Sequence, residues 1–212
     1  MRIDPAATPF VLIALLPVAA VASFVPWPAT AALALLPLAI ALFFRDPTRS
    51  PPVDPDAVLS PADGRVMHAG PSRPDEAPDG QWQQVTIFLS VLDVHINRTP
   101  VAGRITKVLY LPGSFRAAFK ADAHKNERSE IWIDHAGVPV VARQVVGLLA
   151  RRVVCRVAAG QVLHAGDRIG LMKFGSRMDV FVPPSAAVLV SRGAQVRAGE
   201  TVIARLSPGV RA

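Results

Sequence analysis

From Pro5 to Phe44 the chain carries no charged side chain, although Arg2 and Asp4 precede this block and Arg45, Asp46 and Arg49 follow it. Two apolar runs, Phe10 to Phe24 and Ala29 to Phe44, are separated by Pro26-Trp27-Pro28. Prolines on both sides of a tryptophan make a turn that a helix cannot continue through, and tryptophan favours the membrane interface. Each run is shorter than the roughly 20 residues that cross a hydrocarbon core. Two arrangements survive: a tight helical hairpin that spans with little tilt, or a monotopic pair dipping into one leaflet. In both, the ends meet on one side, and Arg2, Arg45 and Arg49 make that side cytoplasmic. A cleaved signal peptide fits less well, because a second apolar run follows at once and Pro17 and Pro37 interrupt the two runs. A buried core hairpin is the soluble alternative, and the lack of a polar face argues against it. Residues 1–49 are expected to be a membrane-associated helical hairpin, leaving residues 50–212 as a cytoplasmic domain at the cell membrane.

The 212 residues suffice for one sizeable domain plus this appendage. Net charge is +7 and the pI about 10.7, a balance suited to an anionic surface. There is little interleaving of basic residues with aromatics and no nucleic-acid motif, so an anionic membrane is the expected partner and nucleic acid is not. The single Cys155 excludes an intrachain disulfide framework and any cysteine-based zinc cluster, and the histidines lack paired ligand spacing, so no metal site is expected. Cys155 lies in a strand-like run and reads as a reduced structural residue.

After a stiff connector, Ser50-Pro51-Pro52-Val53-Asp54-Pro55, strand patterns dominate: Gly64 to His68, Gln84 to Ser90, Gly103 to Tyr110, Glu130 to Ile133, Val138 to Leu149 and Arg151 to Val157. Pro71 to Gly80 reads as a surface loop. Phe115, Ala118, Phe119 and Asp122 follow helical spacing, which predicts a short helix over Ser114 to Ala123. The fold class expected is mainly β, with one minor helix and the N-terminal apolar helical hairpin. Gly160 to Ile169 and Gly193 to Val202 repeat one pattern, and Ser60 to Gly70 echoes it loosely. These repeats resemble the interlocking barrel-sandwich halves of biotinyl and lipoyl domains, without their lysine tip motif.

Between the two repeats lies Phe174-Gly175-Ser176, flanked by Ile169 and Leu171 before and Val180-Phe181-Val182 after. Gly-Ser between apolar runs makes an ordinary turn. It also makes a scissile bond, since the Ser176 hydroxyl follows a carbonyl whose residue, Gly175, adds no side chain to block attack. Asp63 reads blandly as an Asp-Gly turn and His95 as a strand histidine. Asn126-Glu127-Arg128 reads as a solvated turn with an internal ion pair. His68, His135 and His164 sit in turn or edge contexts, and His124 is kept as a weak candidate base beside the Asn-Glu-Arg motif.

Taken together, Ser60-Pro61-Ala62-Asp63-Gly64, Leu92-Asp93-Val94-His95-Ile96-Asn97-Arg98-Thr99-Pro100, Asn126-Glu127-Arg128 and Phe174-Gly175-Ser176 resemble the phosphatidylserine decarboxylase proenzymes of the short bacterial and archaeal form. Phe43-Phe44-Arg45-Asp46-Pro47 and Tyr110-Leu111-Pro112-Gly113-Ser114-Phe115 extend the likeness over nearly the whole chain. The resemblance implies self-cleavage before Ser176, at the Gly175 carbonyl, into fragments 1–175 and 176–212 that stay together. It implies a covalent pyruvoyl cofactor made from Ser176, which forms a Schiff base with the phospholipid substrate and turns phosphatidylserine into phosphatidylethanolamine. It further implies roles for His95 in decarboxylation and for Asp63 in self-cleavage, and favours a homodimer. The family's longer members carry a second histidine where this chain has Arg98, so either His95 serves both steps or another group activates Ser176; Arg98 is then a candidate for the substrate phosphate or carboxylate. An archaetidylserine substrate stays open. The competing readings are a non-enzymatic membrane adaptor with a barrel-sandwich domain, which leaves the His95 motif unexplained, and a serine hydrolase, which the absent G-x-S-x-G elbow disfavours.

Overall fold

The computed structural model describes residues 1–73, 76–148, 153–173 and 176–207. It divides into two compact units, Met1–Thr48 and Arg49–Ala212.

In the first unit, strand β1 (Arg2–Ile3) leads through a short 3-10 turn into helix α1 (Thr8–Val21), which packs along helix α2 (Trp27–Phe43) before strand β2 (Arg45–Asp46). The β1–β2 pair clips the two ends together, with Arg2 opposite Asp46. Asp4 accepts a hydrogen bond from the Ala6 amide at 2.9 Å and starts the first turn. Trp27 and Pro28 open α2 instead of forming the turn, because a proline costs nothing in a first helical turn, where its missing N–H would be unbonded anyway. Both helices run through their internal prolines, Pro17 and Pro37. Leu12, Ile13, Leu16, Leu35 and Leu36 are all exposed. The 17 residues of α2 rise about 26 Å, short of a hydrocarbon core about 30 Å thick. Among the described residues no helix is long and apolar enough to cross a membrane.

The second unit is built from strands β3 (Ala57–Leu59), β4 (Gly64–Pro71), β5 (Gln83–Leu89), β6 (Ile96–Arg98), β7 (Gly103–Leu111), β8 (Arg128–His135), β9 (Val138–Val145), β10 (Val153–Cys155), β11 (Val162–Leu163), β12 (Arg168–Met172), β13 (Ser176–Val182), β14 (Ala187–Val188), β15 (Gln195–Val196) and β16 (Val202–Arg205). Eight of them form a curled half-barrel in the order β11-β7-β8-β9-β13-β5-β4-β15. Two three-stranded sheets, β10-β12-β6 and β14-β16-β3, complete the unit. The protein is mainly β, as the period-2 patterns predict. The concave face buries Val66, Ile87, Ile105, Ile131, Val140 and Val180 in one core.

The repeats occupy equivalent places about a pseudo-twofold. Gly199 N–H donates to the Ser60 carbonyl and Ser60 N–H to the Thr201 carbonyl; on the other side Gly166 donates to Thr99, and Thr99 donates to Asp167, one residue before the position equivalent to Thr201. The Ser60 and Thr99 hydroxyls each donate to the carbonyl two residues on, at 2.6 and 2.7 Å. Val196 pairs with Gly64 on one side and Leu163 with Gly103 on the other. Thr99-Pro100-x-x-Gly103 is therefore the structural partner of Ser60-Pro61-x-x-Gly64, a match that the sequence shows only as a hydroxyl, a proline and a glycine. At the crossing, Gly166 and Gly199 hold φ of +83° and +73°, and a Cβ on Gly199 would lie 3.5 Å from the Gly166 Cα.

Four expectations need correction. Ser114 to Ala123 is not a helix: only a 3-10 turn, Ala121–Lys125, forms. Ser114 instead bonds across the loop to Lys125 and Glu127, and the Asn126 amide takes both backbone groups of Arg116. The strand predicted over Val138 to Leu149 ends at Val145, and of the one predicted over Arg151 to Val157 only Val153–Cys155 is strand among the described residues; Leu149, Arg151 and Arg152 lie outside the described residues. The Pro71 to Gly80 stretch is not simply a surface loop, since β4 reaches Pro71 and Glu76 is buried.

Candidate active site

Ser176 begins β13, a strand paired on both sides, with β5 through Ser176–Leu89 and with β9 through Arg177–Val145. Alternation along the strand sends Ser176, Met178 and Val180 to the core face and Arg177, Asp179 and Phe181 to the other. Ser176 is fully buried, and its Oγ has no hydrogen-bond partner among the described residues. Neither His95 nor Asp63 is therefore bonded to that hydroxyl. Gly175, the expected cleavage carbonyl, lies outside the described residues, as does Phe174.

His95 stands just before β6. Its carbonyl accepts from Met172 N–H at 3.2 Å, so the ring is carried by the strand pairing that also carries the segment leading to Ser176. The residue is 2% exposed, and Nδ1 lies 2.9 Å from the Asp93 carbonyl. A carbonyl only accepts, so Nδ1 holds the proton and Nε2 is the basic nitrogen. Asp93 is itself fixed by the amide and hydroxyl of Ser90, at 2.8 and 2.7 Å.

Asp63 sits in a different company. Its carboxylate accepts from Arg49 at 2.9 and 2.7 Å and from the Ala198 amide at 2.8 Å, while the same guanidinium reaches Glu200 at 3.1 Å. Burial pushes the Glu200 carboxyl up, but the Arg49 hydrogen bond and charge outweigh it and leave the group below its ordinary range. Arg98 is buried, donates to the Gly166 carbonyl at 2.9 Å, and lays its stem near Gly199. Asp63 and Arg98 thus both belong to the region where the repeats cross.

The far face of β13 carries a buried charge cluster. Arg177 donates to Asp179 at 2.7 Å and to Glu76 at 2.6 Å; Thr86 donates to Asp179 at 2.8 Å. Arg143 adds a hydrogen bond to the Glu76 carbonyl and an ion pair with Glu130 at 2.8 Å. Burial alone would raise both Glu76 and Asp179, yet Arg177 more than offsets it and both carboxyls stand below their ordinary values. His124 faces this cluster, its Nδ1 being 3.9 Å from Glu76. The cluster was not evident from sequence, although Arg177-x-Asp179 in an otherwise apolar strand is the one-face charge pattern that would mark it.

Asn126 is fully buried rather than part of a solvated turn. Its amide accepts from Ser114 and from the Arg116 N–H and donates to the Arg116 and Val146 carbonyls, all between 2.7 and 2.9 Å. It pins the 114–126 loop to the end of β9, beside the start of β13. Glu127 is hydrogen-bonded to Tyr110, whose phenol it raises above the ordinary value. Also missed was a pair of buried amides: Gln144 Nε2 donates to Asn97 Oδ1 at 2.8 Å. Of the remaining histidines, His164 is exposed, while His68 and His135 are half-buried against the Pro71 and Ala102 carbonyls.

A family model described as phosphatidylserine decarboxylase matches residues 36–204. Relatives named phosphatidylserine decarboxylase proenzyme include one from Symbiobacterium thermophilum, 46% identical over 195 residues that cover 91% of each chain. Another, from Geotalea uraniireducens, is 42% identical over 203 residues and 92% of each chain. A third, from Mycolicibacterium smegmatis, is 44% identical over 172 residues, 79% of this chain and 74% of the relative. The matched span contains the Ser60–Gly64 turn, the His95 segment and Ser176, and the chain belongs to the phosphatidylserine decarboxylase family.

Proposed function

We propose that this protein decarboxylates phosphatidylserine to phosphatidylethanolamine with a pyruvoyl group that it makes from Ser176. The observation that carries this reading is the Ser176 hydroxyl, fully buried, without a partner among the described residues, and directly following a glycine in a chain of this family. A buried polar group left unbonded costs about 1–3 kcal/mol, a cost that a purely structural position would shed by holding alanine.

The chemistry balances within the chain. The Ser176 Oγ attacks the Gly175 carbonyl carbon; a C–O bond forms, the C–N bond breaks, and the Ser176 nitrogen takes the hydroxyl proton. Loss of the Ser176 Cα proton then expels the Gly175 carboxylate, and one water molecule exchanges the remaining nitrogen, as ammonia, for a ketone oxygen. The fragment from residue 176 onward stays held after the cut, because β13 pairs with β5 and β9, β15 with β4, and β16 with β3. At the head of β13 such a group would supply a ketone carbonyl, an electrophile for the serine amine of the lipid and an electron sink for the carbon that loses its carboxylate. His95, with Nε2 as its basic nitrogen, handles the proton at that carbon. Asp63 assists the cleavage step, and Arg98 supplies positive charge for the substrate's anionic groups. The exposed leucines of α1 and α2 seat the N-terminal unit in the interface of an anionic membrane, body on the cytoplasmic side.

The test is decarboxylation of phosphatidylserine vesicles by the purified full chain. Wild type should release carbon dioxide and phosphatidylethanolamine, and Ser176→Ala should be uncut and inactive. Turnover by Ser176→Ala would sink the assignment.

A further inference from the structure

Six large apolar side chains of the second unit, Val91, Leu92, Tyr110, Phe115, Phe119 and Leu148, are exposed at one end of the large sheet. Among the described residues the unit exposes only Val53, Val162 and Leu189 elsewhere, one each in the connector, in β11 and after β14. Strand register defines the crowded end. There β13 starts, with Ser176 opposite Leu89, the last residue of β5, and Arg177 opposite Val145, the last of β9. Val91 and Leu92 follow β5, Leu148 follows β9, and Tyr110 is next to last in β7. Phe115 and Phe119 belong to the loop that Asn126 fastens to the Val146 carbonyl, and Phe119 packs edge-on against Phe88 at 6.0 Å.

The same end is basic. Arg65, which stands opposite Phe88, is exposed, as are Lys120 and Lys125. Lys120 also lines a cleft with Arg73 and Arg192 beside Phe119. Nearby acids are already engaged: Asp93 by Ser90, Asp122 by Arg116, Glu127 by Tyr110 and Glu76 by Arg177. Single exposed apolar residues are ordinary on a protein surface, but a group of them rimmed by charge marks a binding face. The charge selects the occupant. A second copy docked through the same face would set these cations against their own equivalents. Lipid phosphates and carboxylates neutralise them instead, while the apolar and aromatic side chains enter the bilayer interface. The site needs such a contact, because Ser176 is fully buried at this end and its substrate's headgroup stays at the membrane surface. Each methylene drawn into water on the way to a distant site would cut the transferred population about fourfold.

We propose that this end of the sheet is a second membrane contact, separate from the apolar helices, which enters the interface of an anionic bilayer and brings the head of β13 to the lipid headgroups. The inference rests on the phosphatidylserine decarboxylase reading. The helices hold the chain at the membrane, and this face orients the site upon it.

The experiment compares the full chain with two double variants, Leu92→Ser/Leu148→Ser and Lys120→Glu/Lys125→Glu. Two substrates are used: dihexanoyl phosphatidylserine present as monomers, and mixed vesicles of phosphatidylcholine and phosphatidylserine. Self-cleavage, sedimentation with the vesicles and turnover of the monomers should be kept by both variants. On vesicles kcat/KM should fall about 10-fold or more, the least that one leucine entering an apolar phase contributes and about what two reversed lysines forfeit at an anionic surface. Added salt should shrink the deficit of the charge variant and leave that of the leucine variant. Should the leucine pair lose the fold, the exposed lysine pair still decides the matter. Wild-type turnover of vesicles by the variants would overturn the proposal, as would an equal loss on monomers and vesicles, which would place the fault in the site. Loss of a dimer with both activities intact would assign the face to a second copy and overturn it as well. Wild type inactive on both substrates would sink the decarboxylase reading itself, whereas wild type active on both and matched by the variants removes only this contact.

Discussion

Replacing Arg177 by methionine keeps an apolar stem in place and removes the cation from a buried cluster. Asp179 is 0% exposed and Glu76 is buried, and Arg177 reaches them at 2.7 and 2.6 Å. Removing one partner of a buried ion pair costs about 3–5 kcal/mol, because the other charge is left uncompensated. At about 2–4 °C per kcal/mol for a chain of this length, the midpoint should fall by about 10 °C. The pH dependence is diagnostic. In the wild type burial raises Asp179 and Glu76 but Arg177 lowers them further, so their folded values lie below the unfolded ones. The stability they contribute is present above the unfolded value of about 4 and is lost as pH falls through the folded value. In the variant burial prevails at Asp179, whose folded value rises above the unfolded one, so protonation relieves the cost as pH falls. Both chains are compared in an uncut Ser176→Ala background, by thermal unfolding followed with circular dichroism at pH 7, 6 and 5. The gap between the parent chain and its Arg177→Met variant should narrow with acid. A gap under 2 °C, or one that stays constant, would refute the reasoning, since about 3 kcal/mol is the least a broken buried pair should cost.

Asn126→Ala deletes four hydrogen bonds to buried or half-buried groups and should lower urea stability by about 3–4 kcal/mol, slowing self-cleavage as the β9 end loosens. Gly64→Ala and Gly103→Ala should each cost about 2 kcal/mol or more by the same measurement, because each holds φ near +150° and its Cβ would run into a carbonyl, of Phe88 and Asp134 respectively. Leu16→Asp with Leu36→Asp, both exposed, should leave the midpoint of the body within about 2 °C yet abolish sedimentation with anionic vesicles; retained binding would exclude the helical unit as the anchor.

Those features declared by local chemistry were legible in the sequence. A charge-free block punctuated by Pro26-Trp27-Pro28 could only become an apolar helix pair, and the strand patterns along β5, β7 and β8 announced a β body. Ser176 and His95 were visible because glycine, proline and acid residues at short range frame them. Ser114 to Ala123 misled because its helical spacing was real but weaker than tertiary bonding: Phe119 packs edge-on against Phe88 at 6.0 Å while Asn126 captures the backbone of Arg116. The Asn97–Gln144 pair and the Arg49–Asp63 ion pair are set by strand register and by the crossing of the repeats, which no local pattern encodes. Arg49 in particular reads from sequence as a flanking charge of the apolar block, and the fold uses it as the counter-ion of Asp63 and Glu200.

The decisive measurement is the denatured intact mass of the purified chain, taken before and after treatment with a hydrazine probe. Consumption of Ser176 predicts two polypeptides, residues 1–175 and 176–212, with only the smaller one taking up the probe at its first residue. A single species of 22.6 kDa that takes up no probe would contradict a self-made ketone at the head of β13.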